Sequence, residues 1–163
     1  MGPTASGKTE LAINLFEKFN IELISVDSVM VYRGANIGSA KPTDDVLSSY
    51  PHHLVNNKTL NEIYSVAEFC SDSLKLIKEA HAKNKIPLFV GGSMMYFKSL
   101  LKGIDKLPQR DDGYREALME LKASEDSHFL FNLLLSKDPG YAKAVKPNDE
   151  KRIIRALEVI NAT

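Results

Sequence analysis

The chain has 163 residues, 21 Lys+Arg against 21 Asp+Glu, zero formal net charge and a hydrophobic share of 44%. That share excludes a disordered polypeptide, and the charge balance excludes a broadly basic nucleic-acid surface while leaving room for a local patch. No apolar run approaches the ~18 residues of a membrane span, and the single Cys70 cannot form an internal disulfide, which suits a cytoplasmic protein.

The first nine residues carry the strongest signal. Gly2, Pro3, Thr4, Ala5, Ser6, Gly7, Lys8 and Thr9 fit the phosphate-loop pattern G-x-x-x-x-G-K-[ST] without a mismatch. Backbone N–H groups must wrap a multiply charged phosphate, and glycine lets the backbone approach that closely. Lys8 adds a mobile point charge, and Thr9 offers a hydroxyl to a bound Mg²⁺. The motif specifies a di- or triphosphate site without saying what is done with it.

Lys8 to Phe19 is predicted as a helix, with Leu11, Ala12, Leu15, Phe16 and Phe19 at helical spacing and directed at a sheet. Ile21 to Val26 is predicted as a buried parallel strand ending in Asp27-Ser28. Ligands of open α/β sheets bind beyond the carboxyl ends of strands, so Asp27 is delivered to the phosphate-loop end. Val29 to Thr43 has little regular pattern and reads as a substrate-contacting loop. His52-His53 lacks a nearby third ligand, so structural hydrogen bonding is expected there rather than a metal.

Ser65-Val66-Ala67-Glu68 is a capping box opening a helix whose expected buried face is Val66, Phe69, Cys70, Leu74, Ile77 and Ala80. Ile86 to Val90 is a second buried strand, followed by Gly91-Gly92-Ser93. Met94 to Leu101 is predicted as a helix whose Met94, Met95, Tyr96 and Phe97 supply core and cleft wall. After Leu107 the strands stop. Helices are predicted around Tyr114–Ala123, His128–Leu135, Tyr141–Val145 and Glu150–Ile160, the last with a stripe of Ile153, Leu157 and Ile160. The fold class is therefore α/β: a phosphate-loop type parallel sheet flanked by helices, with a helical segment after about residue 107. The expected division is an α/β catalytic core over 1–106, a helical insertion over 107–147 and a helix returning to the core over 148–163.

Of the two strands, only the first ends in a carboxylate. A hydrolysing NTPase usually places an acidic Mg²⁺ ligand after such a strand in addition to its phosphate loop. One carboxylate there suits group transfer instead, with Asp27 as a base on an acceptor. A small-molecule or nucleoside kinase fits that description and stays open as an alternative.

Larger words narrow the choice. Gly2–Thr9, Ile24-Ser25-Val26-Asp27-Ser28, Val31-Tyr32-Arg33-Gly34, Ile37-Gly38-Ser39-Ala40-Lys41-Pro42, His52-His53-Leu54, Val90-Gly91-Gly92-Ser93 and Arg155-Ala156-Leu157-Glu158-Val159 resemble, in order and over the whole chain, the tRNA dimethylallyltransferases. The resemblance implies transfer of a dimethylallyl group from dimethylallyl diphosphate, with Mg²⁺, to the exocyclic amine of the adenine just 3′ of the anticodon. It implies Asp27 as base, with Lys8 and Thr9 serving the leaving diphosphate and Thr9 the metal. It implies tRNA contacts from Asp27, Ser28, Val29, Met30, Ser93, Arg115, Lys151, Arg152, Ile153, Ile154 and Arg155, made to the anticodon stem-loop by a monomer with no membrane association. Met30 stands where many members have Gln, and Ser93 where Thr is usual. The family's first strand would precede Gly2 and about half its length would follow Thr163, so the chain is expected to be part of a longer member.

Overall fold

The computed structural model describes residues 1–2, 6–105, 107–126 and 128–163. They form two compact units, Met1–Ile104 and Asp105–Thr163. The first contains helix α1 (Lys8–Lys18), strand β1 (Ile21–Val26), helix α2 (Asp44–Ser49), strand β2 (His52–His53), helix α3 (Val66–Ala82), strand β3 (Ile86–Gly91) and helix α4 (Met94–Lys102). The sheet is parallel, in the order β2-β1-β3.

Strand β1 explains why its sequence is almost wholly apolar: it is the central strand and both its faces are covered. Successive side chains alternate between faces, so β1 feeds two cores. Ile21 and Leu23 pack with Ala12, Leu15 and Phe16 of α1. Ile24 and Val26 pack with Phe69 of α3 and Tyr96 and Phe97 of α4, where the Phe69 and Tyr96 rings stack with centroids 4.4 Å apart. The charged Glu22 accepts hydrogen bonds from Lys85 and His53, both at 2.9 Å, and these partners hold its carboxyl below the usual range.

The α3 capping box forms as expected, with Ser65 accepting from the Glu68 N–H and Glu68 accepting from the Ser65 N–H. The buried face of α3 differs from the expected stripe. Of the expected residues, Phe69 and Ala80 are buried and Val66 and Cys70 pack on the core; Ser73 and Leu76 join them, whereas Leu74 is exposed. The cause is the phase of the helix: positions 69, 73, 76 and 80 keep one face, and 74 lies off it. Leu11, Phe19, Met94 and Met95 are likewise exposed, so α1 buries Ala12, Leu15 and Phe16, and α4 buries Tyr96 and Phe97. Helix α2 and the two-residue β2 are additions to the sequence expectation. Each is too short to show a hydrophobic period.

Register pairs β1 with β3 along their length, ending at Val26 opposite Gly91. A Cβ on Gly91 would lie 2.1 Å from the Val26 carbonyl oxygen, so any side chain there collides with backbone.

The second unit contains helices α5 (Asp112–Ala123), α6 (Phe129–Lys137), α7 (Pro139–Ala142) and α8 (Glu150–Ala162). Asp111, Asp138 and Asp149 cap α5, α7 and α8 by accepting from the N–H groups of Tyr114, Tyr141 and Arg152. Such caps satisfy donors that the first helical turn leaves unpaired. Leu118, Leu130, Leu134, Ala142, Val145, Ile153, Ile154 and Leu157 form its core. Helix α8, which the sequence sends back to the α/β core, thus supplies part of the core of the helical unit itself.

Within that unit Glu158 is 1% exposed. Arg115, then Arg155 and the Asp111 N–H, hold its carboxyl down at about 2 by hydrogen bonding to the charged form.

Gly91→Ala is expected to destabilise the chain by about 2–3 kcal/mol or more in urea unfolding, as an overpacked site with no flexible neighbour. A change under about 0.5 kcal/mol would contradict the close approach. A carboxyl depressed by folding stabilises at pH above its unfolded value, and that contribution is lost as pH falls through its folded value. For Glu158 the window runs from 4.5 down to about 2. Acid unfolding followed by circular dichroism should lose a component in that window in Glu158→Gln; an unchanged acid limb would contradict the assignment.

Candidate functional site

The first unit holds a cavity of about 360 Å³ at the carboxyl ends of β1 and β3. Ser6, Gly7, Lys8, Thr9 and Glu10 line one part of it, and Ser25, Asp27, Met30, Val90, Gly91 and Gly92 another. Both strand ends named from the sequence therefore reach the phosphate loop. Pro3, Thr4 and Ala5 lie outside the described residues.

Gly7 is in the left-handed region at φ 73° and precedes α1 without a side-chain cap. A helix start of this kind favours an anion through its opening N–H groups and the helix dipole. A Cβ on Gly2 would come within 3.3 Å of Ser6 Oγ, closer than an ordinary contact. Lys8 Nζ donates to Ser6 Oγ at 3.4 Å, which keeps the ammonium beside the loop.

Asp27 is oriented by its own turn. Its Oδ1 accepts from the N–H of Val29 at 2.8 Å and of Met30 at 3.1 Å. Among the described residues no hydrogen bond engages Oδ2, so that oxygen is the one able to take a proton or a donor from a ligand. The turn is fixed to β3 by Ser93, whose Oγ accepts from the Ser28 N–H at 3.1 Å. Ser93 therefore acts on the backbone of the Asp27 turn, a role that either Ser or Thr can fill. Met30 lines the cavity, and its sulfur accepts from Ser25 Oγ at 3.9 Å. Ser28 and Val29 are exposed.

The loop after β1 supplies a further wall through Ser39, Ala40 and Pro42. Lys41 staples it: Nζ donates to Tyr32 O at 2.6 Å, Asn56 Oδ1 at 2.8 Å and Asn36 Oδ1 at 3.2 Å. These three acceptors match the three protons of an ammonium. Lys41 thus shapes the cavity from behind.

His52 and Val55 also line the cavity, and neither belongs to the expected site. His52 Nδ1 lies 2.6 Å from the Tyr50 carbonyl, which can only accept, so Nδ1 carries the proton. Burial lowers its pKa. A neutral ring then leaves Nε2 as an acceptor. The parallel pairing of β2 with β1 brings His52 here, and no sequence periodicity marks it.

Thr9 lines the same cavity and offers a hard oxygen donor of the kind Mg²⁺ prefers. Among the described residues no group of three or more His, Cys, Asp or Glu could hold a metal by itself. Mg²⁺ usually keeps waters and substrate phosphates as ligands, so this sparse donor set fits it.

The remaining expected tRNA contacts lie in the second unit. Lys151 and Arg152 are exposed, with Arg152 paired to Asp149 at 3.1 Å. The side chains of Ile153 and Ile154 are buried in the core and hold the helix. Arg115 and Arg155 are part-exposed and both bind Glu158. Among the described residues no helix is long and apolar enough to cross a membrane.

A family model described as IPP transferase matches residues 30–163. The chain is 48% identical over its whole length to a tRNA dimethylallyltransferase of Acinetobacter baumannii and 45% identical to one of Thiobacillus denitrificans, covering 52% of each. It therefore spans about half the length of the curated relatives it matches. Among solved structures it is similar to the tRNA isopentenylpyrophosphate transferase of Bacillus halodurans, at 39% identity and TM-score 0.62 over 99% of this chain and 54% of that one. It is also similar to a eukaryotic dimethylallyltransferase acting on tRNA, at 33% identity and TM-score 0.75 over 97% of this chain and 39% of that one.

Proposed function

The chain belongs to the IPP transferase family, and we propose that its α/β unit binds dimethylallyl diphosphate for transfer of the dimethylallyl group to tRNA, at the exocyclic amine of the adenine just 3′ of the anticodon. The observation that carries the reading is the one cavity lined both by the phosphate loop and by Asp27. A phosphate-binding loop in one cavity with the carboxylate at the end of β1 is the arrangement needed when a diphosphate leaves and an acceptor loses a proton.

The diphosphate sits on the loop, where the α1 N-terminus and Lys8 take the charge that grows as the C–O bond breaks. Thr9 would help hold a Mg²⁺, which would supply further neutralisation of the leaving group. The adenine amine is a poor nucleophile because its lone pair is delocalised into the ring. As the new C–N bond forms, that nitrogen becomes acidic, and Asp27 Oδ2 accepts the proton. With Oδ1 held by two backbone N–H groups, the carboxylate does not have to reorient during the step. The adenine leaves its stack to enter the cavity, as base-modifying enzymes require. The apolar members of the cavity wall, among them Met30, Val55 and Val90, suit a five-carbon group. The protein is taken to work in the cytoplasm as a monomer.

Asp27→Asn tests the role of the carboxylate cleanly, because an amide oxygen can still accept from Val29 and Met30. Transfer to tRNA, measured with radiolabelled dimethylallyl diphosphate, should fall by about 100-fold or more while diphosphate affinity stays within about twofold. Transfer retained by the Asp27→Asn protein would remove Asp27 as the base. Lys8→Met should show the opposite balance, weakening diphosphate binding by about tenfold or more through loss of a charge-assisted interaction. Unchanged affinity in that variant would contradict the placement of the diphosphate.

A further inference from the structure

Glu158 is a buried acid on α8, between the core residues Ile153, Ile154 and Leu157 and the chain end. Its carboxylate is saturated. Oε1 accepts from the Asp111 N–H and from Arg115 Nε, and Oε2 accepts from Arg115 Nη2 and Arg155 Nη1. The two Arg115 bonds are 3.0 Å each, the parallel geometry of a guanidinium–carboxylate fork. Arg155 is held a second time, by Nη2 donating to the Pro108 carbonyl at 2.7 Å.

Two cations share the one buried carboxylate: Arg115 is bidentate to Glu158 and Arg155 is a second donor to it, while Asp112 also acts on Arg115 through its charge. Buried ion pairs gain little net stability over apolar packing, because desolvation offsets the attraction. The arginine side chains are 28% and 35% exposed, so both reach solvent while the carboxylate between them does not. Each guanidinium keeps N–H groups that Glu158 and Pro108 do not use. Two fixed guanidinium groups with spare, solvent-reaching donors form a site for an anion with several acceptor oxygens, and a phosphodiester has that chemistry.

We propose that Glu158 is a positioning residue, whose buried carboxylate holds Arg115 and Arg155 side by side as a preformed fork for a phosphate of the RNA backbone. The proposal rests on the reading that RNA is the acceptor, and it adds a residue that touches no RNA. Glu158 acts through the two arginines, whose side chains are otherwise long and flexible. Fixing them before binding removes an ordering cost that free arginines would bear on meeting RNA.

The sign of one effect separates this role from its rivals. A carboxylate that merely repelled phosphate would give tighter binding when neutralised. A purely structural carboxylate would give a lower Tm and unchanged RNA affinity. A positioning carboxylate gives weaker binding despite the gain in positive charge. The test is titration of an unmodified anticodon stem-loop, with adenine 3′ of the anticodon, over a series of KCl concentrations. Glu158→Gln should bind about tenfold more weakly, and should bind no more weakly still when Arg115→Ala and Arg155→Ala are already present. The double arginine variant should flatten the slope of log K against log salt by roughly 0.7 for each phosphate it no longer neutralises. Tighter or unchanged binding by Glu158→Gln overturns the proposal, as does an equal further weakening in the arginine-free background. Should Glu158→Gln not fold, Arg115→Lys decides, because it keeps the charge and leaves Glu158 paired with Arg155 and Asp111. About tenfold weaker binding supports the fork, and unchanged binding overturns it. Transfer assays on the same proteins separate the two levels: binding coupled through Glu158 without prenyl transfer removes the transferase reading alone, and no stem-loop binding removes the fork.

Discussion

The carbonyl oxygen of Val26 is where the first unit is most tightly constrained. It lies against Gly91 so closely that no side chain fits between the strands, and it accepts the N–H of Ser93 at 3.2 Å. The ends of β1 and β3 are thereby fixed to each other. Ser93 passes the constraint on, since its hydroxyl oxygen holds the Ser28 N–H and so the turn that carries Asp27. Asp27 closes the turn by accepting from the N–H groups of Val29 and Met30. Backbone contacts at one point of the sheet therefore set the orientation of the carboxylate that shares a cavity with the phosphate loop. This is a rigid way to hold a base, and it leaves one carboxylate oxygen for chemistry.

The two units use charge differently. In the first, the loop glycines and the start of α1 present backbone dipoles to an anion, with Lys8 as the mobile charge. In the second, side chains carry the charge, and a buried glutamate sets their geometry. A chain with zero formal net charge can thus hold two local anion-binding arrangements. Zero net charge over the whole chain limits nonspecific attraction to nucleic acid, which is mainly a phosphate effect.

Much of this was legible in the sequence where a local rule applies. The phosphate loop needs particular residues at fixed spacing. The Ser65–Glu68 box and the apolar run of β1 are local signals, and the structure contains both. Asp27 could be assigned to the site because strand ends in a parallel sheet face one way. What was not legible depends on partners distant in the chain. Leu74 is exposed because the phase of α3 is set by packing on Ile24 and Val26, which composition does not reveal. Met94 and Met95 are apolar residues left on the outer face of α4. His52 reaches the cavity only through pairing of a two-residue strand with β1. Lys41 sits in a loop that reads as substrate-contacting, whereas its ammonium is engaged by Tyr32 and Asn36 of that loop and by Asn56. Glu158 carried one usable hint, its place three residues after Arg155 and one after the buried Leu157.

The central claim is that the cavity beside Asp27 accepts a prenyl diphosphate rather than a nucleotide. Thermal unfolding of the 163-residue chain with Mg²⁺, with and without each ligand at matched concentration, tests it most directly. A ligand at 100 times its dissociation constant stabilises the folded state by about 2.7 kcal/mol, a readily visible shift in Tm. The account predicts the larger shift with dimethylallyl diphosphate. A shift with ATP and none with dimethylallyl diphosphate would contradict it and point to phosphoryl transfer at the same loop.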